Sequence, residues 1–446
     1  MEFRREVRIL VIPFVIHMLL SNSFSFVDLI MITRLGEVAV ASVAAAGQFS
    51  FILGMLLSAT YGITAFITQF FGKNDMKNVH RSLGIMLTTS IVLSSIVSIV
   101  VFLFKTQLLS IFLHDETALL LGVQYLSIIV FVYVLNAMKD SYGNALGAIG
   151  KVKINVIIGF IGLGTNTLLN YLLIYGNFGF PELGIQGAAY ATLYSTILST
   201  TLLLGFIYGR KYHVNASIKS LFSFNKKFMK KVYIVTIPLI FHEGIWSIGN
   251  MLYAVAFGYM GVTALATYQL ARSFNNYFMM GIFGFSYAAK VMIGKRLSLE
   301  DPSEAILNAR KFTKLSVYSA ITVSVLIILL NPVIVSLFTN LSSEVQQTFR
   351  NVLYIQGFVL TMYFLNNIWI VGVFRSGGDN IYSMKLVLFT TWGIALPLVF
   401  LGAFVFHWPI EVVYLMFALE EVSKACIGFF RYRSNKWANN LVRDIA

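Results

Sequence analysis

Long apolar runs, separated by short stretches rich in charge and turn residues, extend along the whole chain. Measured against the roughly 20 apolar residues that a helix needs to cross a bilayer, they predict twelve spans, at 9–33, 40–70, 83–104, 117–142, 154–175, 185–208, 232–258, 263–289, 315–338, 348–374, 384–406 and 410–430. Ala, Gly, Ser and Thr recur within the runs, as expected where helices approach closely in lipid. Runs of this length without period-two alternation argue against a membrane barrel. The expected fold class is therefore all-α and integral to the membrane. The start, Met1-Glu-Phe-Arg-Arg-Glu-Val-Arg8, has the charge of a signal peptide, but the apolar run behind it is too long for one, so it reads as a retained helix.

Composition excludes the alternative of a soluble protein. Of 446 residues, 58% are hydrophobic and only 12% charged, against roughly half and a quarter in soluble domains. The single cysteine, Cys426, leaves no intrachain disulfide and no thiolate cluster. A net charge of +14 raises the question of nucleic acid, but the basic residues sort by loop. Arg4, Arg5, Arg8, Lys73, Lys77, Arg81, Lys151, Lys153, the run from Arg210 to Lys231, Lys290 to Lys314, Arg375, Lys385 and Arg431 to Arg443 fall on one side of the predicted spans. The opposite loops hold Arg34, Lys105 and Arg350. The positive-inside rule then predicts a multi-pass protein of the cytoplasmic membrane with both termini in the cytoplasm. Membrane lipids, and not nucleic acid, are the expected surroundings of this charge.

The chain also repeats itself. Pro13-Phe-Val-Ile-His17 recurs as Pro238-Leu-Ile-Phe-His242, and at the same offset Gly36, Ala39 and Ala41 pair with Gly261, Ala264 and Ala266. Further on, Gly72-Lys73 pairs with Gly294-Lys295 and Gly150 with Gly378. An ordered series of this kind predicts two parallel six-helix bundles around a central cleft, an architecture of carriers. The expected organisation is an N-terminal bundle at 1–208, a basic cytoplasmic linker at 209–231, a C-terminal bundle at 232–430 and a cytoplasmic tail at 431–446.

Against this apolar background a few polar side chains stand out, because a carboxylate within a bilayer costs about 2.5–3.5 kcal/mol on insertion scales. Asp28, in the first span, has no basic residue within four positions, so it must face the protein interior or a wet cavity. Coupling-ion binding is the expected role. Glu243, in the middle of span seven, stands where the repeat has Met18. It reads as a substrate contact or second protonation site, or as the partner of Arg272 in span eight. His17 and His242 occupy equivalent places in the two halves, and Trp246 is a candidate cleft residue. Lys139 and Asp140, adjacent in span four, read as a gate or an interfacial pair, and Glu420, Glu421 and Lys424 near the inner end of the last span read likewise.

Several motifs carry a family resemblance. Pro13 to Asp28 followed by Leu35-Gly36-Glu-Val-Ala39, the stretch from Asn170-Tyr-Leu-Leu-Ile-Tyr-Gly176 through Leu183-Gly-Ile-Gln-Gly-Ala-Ala-Tyr-Ala-Thr192, Gln69-Phe-Phe-Gly72, Phe374-Arg-Ser-Gly-Gly-Asp379 and the ending Leu419-Glu-Glu-Val-Ser-Lys424 through Trp437 together resemble the multidrug and toxic compound extrusion (MATE) family. What the resemblance implies is a twelve-helix secondary antiporter that expels lipophilic, often cationic, small molecules in exchange for Na⁺ or H⁺. It also implies partners for Asp28 at Asn166, Asn170 and Thr192, where a Na⁺ or a proton would be held. At Asn170 this chain departs from members that carry a second acid. The abundant Phe, Tyr and Met fit a cleft that adapts to apolar cations.

The alternatives are weaker. A flippase of lipid-linked precursors, in the same broad superfamily, needs a basic cleft, whereas basic residues within the spans are few. No HExxH, GxSxG or GxxxxGK[ST] occurs, which argues against an enzyme or a nucleotide-driven pump. No cofactor is expected beyond the coupling ion, and a monomer is the expected state.

Overall fold

The computed structural model describes residues 2–113, 115–223, 226–299, 302–336 and 342–443, and among these it contains helices and connecting turns but no strand. In chain order the helices are α1 (Glu2–Thr33), α2 (Glu37–Ser58), α3 (Ile63–Gly72), α4 (Met76–Leu109), α5 (Glu116–Ala148), α6 (Val152–Tyr175), α7 (Gly184–Gly209), α8 (Ile218–Leu221), α9 (Lys226–Tyr259), α10 (Val262–Leu297), α11 (Ser303–Ser336), α12 (Ser343–Asn367), α13 (Asn380–Val387), α14 (Leu396–Phe400) and α15 (Ile410–Arg433).

Helix ends follow from local chemistry. Asp75 and Asp115 cap α4 and α5 by accepting from the backbone N–H groups of Asn78 (3.1 Å) and Ala118 (2.8 Å), three residues on. The repeat is visible in the turns. Gly36 (φ 97°) and Gly261 (φ 114°) form one matched pair, and Gly150 (φ 81°) and Gly378 (φ 70°) another. All four lie in the left-handed region, which glycine alone adopts at little cost. The sequence repeat therefore records the same chain reversals made twice.

Nine described helices are long and apolar enough to cross a membrane, and Val38–Gly54 and Ile63–Gly72 are shorter apolar helices. Two departures from the expected spans have physical causes. The run 40–70 is not one regular α-helix: a 3₁₀ segment at Ala59–Gly62 interrupts it, at a Thr-Tyr-Gly sequence of weak helix formers. α15 is not one of the nine, because Glu420, Glu421 and Lys424 sit in its middle.

The helices gather into two compact units, Ile12–Tyr233 and Ile234–Ala446 together with Met1–Val11. In the first unit, Ile32, Phe49, Leu53, Leu126, Ile174 and Ile185 belong to one buried core. α6 and α7 approach so closely that a Cβ on Gly187 would lie 2.3 Å from the Leu173 carbonyl oxygen. In the second unit, one core forms around Phe312, Ile368, Phe374 and Trp437, and another around Tyr253, Phe257, Tyr268 and Phe349. The chain's first turns belong here: Phe3 packs edge-on against Phe312 at 5.1 Å, and Glu6 pairs with Arg296 at 3.3 Å. Asp379 holds Arg431 through two hydrogen bonds of 2.7 and 2.9 Å, and these raise the arginine pKa above its ordinary value.

The basic stretch 210–231 is not a free tether. His80 lies 2.9 Å from the His213 carbonyl and 3.0 Å from the Ser220 hydroxyl, and Arg81 donates to Ser223 at 3.1 Å. The Leu221 carbonyl comes so near α4 that a Cβ on Gly84 would sit 1.8 Å from its oxygen. Gly84→Ala is therefore expected to lift residues 217–223 off α4, with a cost of about 1–3 kcal/mol as for other overpacked sites. Hydrogen exchange should speed up in that segment; unchanged protection there would contradict the packing.

Candidate functional site

In the first unit, α1, α6 and α7 bring four polar residues together. Asn166 and Asn170 are one turn apart on α6, share a face and are fully buried. The Asn170 amide donates to Asp28 Oδ1 at 2.5 Å. Longer approaches complete the group: Asn170 Nδ2 to Asn166 Oδ1 at 3.4 Å, Asn166 Nδ2 to the Thr192 hydroxyl at 3.4 Å, and that hydroxyl to Asp28 Oδ2 at 3.5 Å. The Thr192 hydroxyl has one proton, and the Ala188 carbonyl, 3.0 Å away, competes for it. Asn170 Oδ1 is buried without a hydrogen-bond partner. The group thus offers two carboxylate oxygens and an unused amide oxygen, the hard donors that a small cation prefers and that a proton on Asp28 could also engage.

Asp28 and Thr192 line a cavity of about 810 Å³ in this unit. His17, Lys139 and Asp140 line it as well. Its aromatic lining is Tyr125 and Tyr133, and among the described residues neither Met, Phe nor Trp contributes. On the helices that line it, Phe51 of α2, Phe131 of α5 and Phe160 of α6 are exposed.

The second unit holds the other candidates, in two separate groups. Glu243 pairs with Arg375, whose terminal nitrogen donates to Glu243 Oε1 at 2.7 Å, while His242 Nδ1 lies 3.3 Å from both groups. The partner expected from sequence, Arg272, is elsewhere. It lines a small cavity of about 90 Å³ with Trp246, Tyr268, Asn275, Glu420 and Glu421. Packing explains the difference: a π-type stretch at Ile368–Phe374 continues α12, and the short turn Arg375–Gly377 after it brings Arg375 to Glu243. The signal was in the repeat. Gly147-Ala-Ile-Gly150 stands where the second half has Arg375-Ser-Gly-Gly378, so acid and base alike exist only in the second half. The two histidines have parted as well, His17 facing a cavity and His242 an ion pair.

Removing either member of the Glu243–Arg375 pair should destabilise the unit, and a double-mutant cycle measures how much belongs to the pair. Glu243→Gln and Arg375→Gln are each expected to cost about 2 kcal/mol, and the double variant clearly less than their sum, since a lone charge costs more than a missing pair. Strict additivity would contradict the pairing.

Glu420, Glu421 and Lys424 do not form an exposed interfacial pair. All three are buried, at 4, 8 and 4% exposure. Lys424 donates to Glu420 at 2.7 Å and to Glu421 at 2.6 Å. Tyr253 and Thr391 also donate to Glu420, and Asn366 donates to Glu421. Thr391 lies in a widened, π-type stretch at Leu388–Ala395, an irregularity of the kind found at functional sites.

Comparison with known proteins gives these features a context. The family model MatE matches residues 13–172 and 238–401, two segments that begin at the repeat prolines Pro13 and Pro238. The chain belongs to the MatE family. Similar MatE-type relatives include the uncharacterized transporter YisQ of Bacillus subtilis, 22% identical over 92% of this chain and 90% of its own length. The probable multidrug resistance protein NorM of Thermotoga maritima is 22% identical over 99% and 94%. The multidrug resistance protein NorM of Vibrio cholerae is 26% identical over 67% and 65%. Among solved structures, a MATE protein in its bent conformation superposes with a TM-score of 0.87 at 18% identity, covering 97% of this chain and 95% of that one. A Pyrococcus furiosus MOP-superfamily transporter described as having a reversed pocket polarity gives 0.81 at 19%, over 96% and 95%. The fold is thus the twelve-helix fold of MATE transporters, and the chain is a multi-pass membrane transporter of that family, not an enzyme.

Proposed function

We propose that this protein is a secondary antiporter of the cytoplasmic membrane that exports lipophilic or cationic small molecules in exchange for Na⁺ or H⁺. The observation that carries the reading is a single carboxylate, Asp28, placed on the wall of a large cavity and backed by buried amide and hydroxyl groups. The names of the NorM relatives, which are multidrug resistance proteins, support the substrate class. Asn166, Asn170 and Thr192 complete the ion site with Asp28. An ion there favours one arrangement of α1 against α6 and α7, and a substrate in the cavity favours another. Each therefore lowers the affinity for the other by the same factor, which couples the two fluxes. The gradient is the only energy source, no cofactor takes part, and the protein works as a monomer with both termini in the cytoplasm. Glu243, with His242 and Arg375 around it, is a second place where a proton or substrate contact could be made in the other unit.

Proteoliposomes given a pH gradient or a Na⁺ gradient separately, and offered a fluorescent lipophilic cation, test the reading. Accumulation against its own gradient under one ion and not the other is expected. Equilibration alone under both would remove antiport and leave a passive pathway.

A further inference from the structure

The large cavity has two polar poles, and only the outer one holds the Asp28 group. His17 lies 11 residues before Asp28 on α1, and Asn155 lies 11 residues before Asn166 on α6. At 1.5 Å per residue both intervals are three helical turns, roughly 16 Å. α5 adds Asn136, Lys139 and Asp140 to this second pole, and all of these side chains line the cavity.

The second pole holds unused polarity. Lys139 and Asp140 are neighbours in sequence, so their side chains leave the helix at different angles and do not face each other. Neither makes an ion pair or a side-chain hydrogen bond among the described residues. Asn136 Oδ1 and Asn155 Oδ1 are buried without partners, and the Asn155 amide is held by the Gly143 carbonyl at 2.9 Å. Lys139 is half-buried and Asp140 exposed, and both line the cavity, so each charge is reachable from it and neither is consumed by the other. Left apart and open to a cavity, they match a ligand that carries both signs.

Resting on the reading of this cavity as the transport site, we infer that the pole formed by His17, Asn136, Lys139, Asp140 and Asn155 is a binding site for a zwitterionic group. Lys139 takes the anionic end, a carboxylate or phosphate. Asp140 and the two unpartnered amide oxygens take the ammonium, and His17 lines the same pole. Val43, Leu53, Ile129 and Val132 line the same cavity and cover the ligand's apolar body. Because Asp28 lies three turns away, a ligand held at this pole need not touch the coupling ion, and exclusion between the two acts through helix movement. The shared chemistry, an ammonium beside an anion, occurs in free amphiphilic zwitterions and in aminophospholipid headgroups.

The test measures binding without a gradient, so its failure is separable from failure of antiport. Purified full-length protein in phosphatidylglycerol nanodiscs is titrated with three dansyl probes that share one apolar body and carry an amine, a carboxylate or both. Wild type should bind the zwitterion about tenfold more tightly than the amine, as a charge-assisted contact allows. Lys139→Gln should erase that preference and leave amine binding within about twofold, while Lys139→Arg retains it. Asp140→Asn should weaken the amine and the zwitterion alike. Competition by phosphatidylethanolamine in the nanodisc assigns the site to a lipid headgroup, and unchanged binding assigns it to a free ligand. Equal affinity of wild type for amine and zwitterion, or an equal loss of both in Lys139→Gln with an unchanged melting temperature, would overturn the assignment.

Discussion

Asp28→Asn should bring gradient-driven efflux down to the level of protein-free vesicles while the protein still inserts and folds. The substitution removes charge with almost no change of shape, and an oxygen at the same place still accepts from the Asn170 amide, which now lies 2.5 Å from the carboxylate. The buried hydrogen-bond framework of α6 and α7 therefore survives. What disappears is the one group in the cluster that binds a cation by charge or carries a proton, since Asn166, Asn170 and Thr192 are all neutral. Passive binding of a lipophilic cation in the 810 Å³ cavity should weaken only modestly. Vesicle assays of concentrative transport, run beside equilibrium binding on the same preparation, separate the two effects. Concentrative transport by the variant at near wild-type rate would place coupling elsewhere, with Glu243 the next candidate.

The second large effect concerns stability. Lys424→Met should lower stability by about 3–5 kcal/mol, the range for breaking a buried ion pair and stranding its partners. The lysine lies within bonding distance of two buried carboxylates, at 2.6 and 2.7 Å. Without it, Glu420 and Glu421 keep Tyr253, Thr391 and Asn366 as donors but repel each other in a medium of low polarity. Glu421→Gln is the milder change, because the Lys424–Glu420 pair remains and the new amide still presents an oxygen to Asn366. The unfolding midpoint of detergent-purified protein should fall several times further for the lysine variant than for the glutamine variant. Equal midpoints would mean that the triad is hydrated and contributes little.

Much of this arrangement is legible in the sequence. The periodic apolar runs anticipated the helices, and the matched glycines anticipated chain reversals that need positive φ at 36, 150, 261 and 378. Asn166 and Asn170 were legible as a shared face, because a spacing of four is local geometry. Their meeting with Asp28, more than 130 residues away, was expected from family resemblance and not from spacing. Glu243 shows why: which basic residue meets it depends on the packing of separate helices, and Arg375, which the sequence places among the loop charges, meets it in place of Arg272. The Glu420, Glu421 and Lys424 group misled in another way. Its i, i+4 pairing was readable, but its depth was not, since the same three charges suit a water-facing helix end. The break at Ala59–Gly62 was hidden for a similar reason: the apolar run continues unbroken across it, and only weak helix propensity marks the place.

If Asp28 holds the coupling ion, as proposed, a ligand in the cavity of the same unit drives it off. The most direct measurement adds substrate to purified protein in weakly buffered detergent solution and records ion release, with a pH indicator for H⁺ and radioactive sodium for Na⁺. Wild type should release close to one ion per bound substrate, and Asp28→Asn, binding the same substrate, should release none. Release of equal size from the variant would contradict the account.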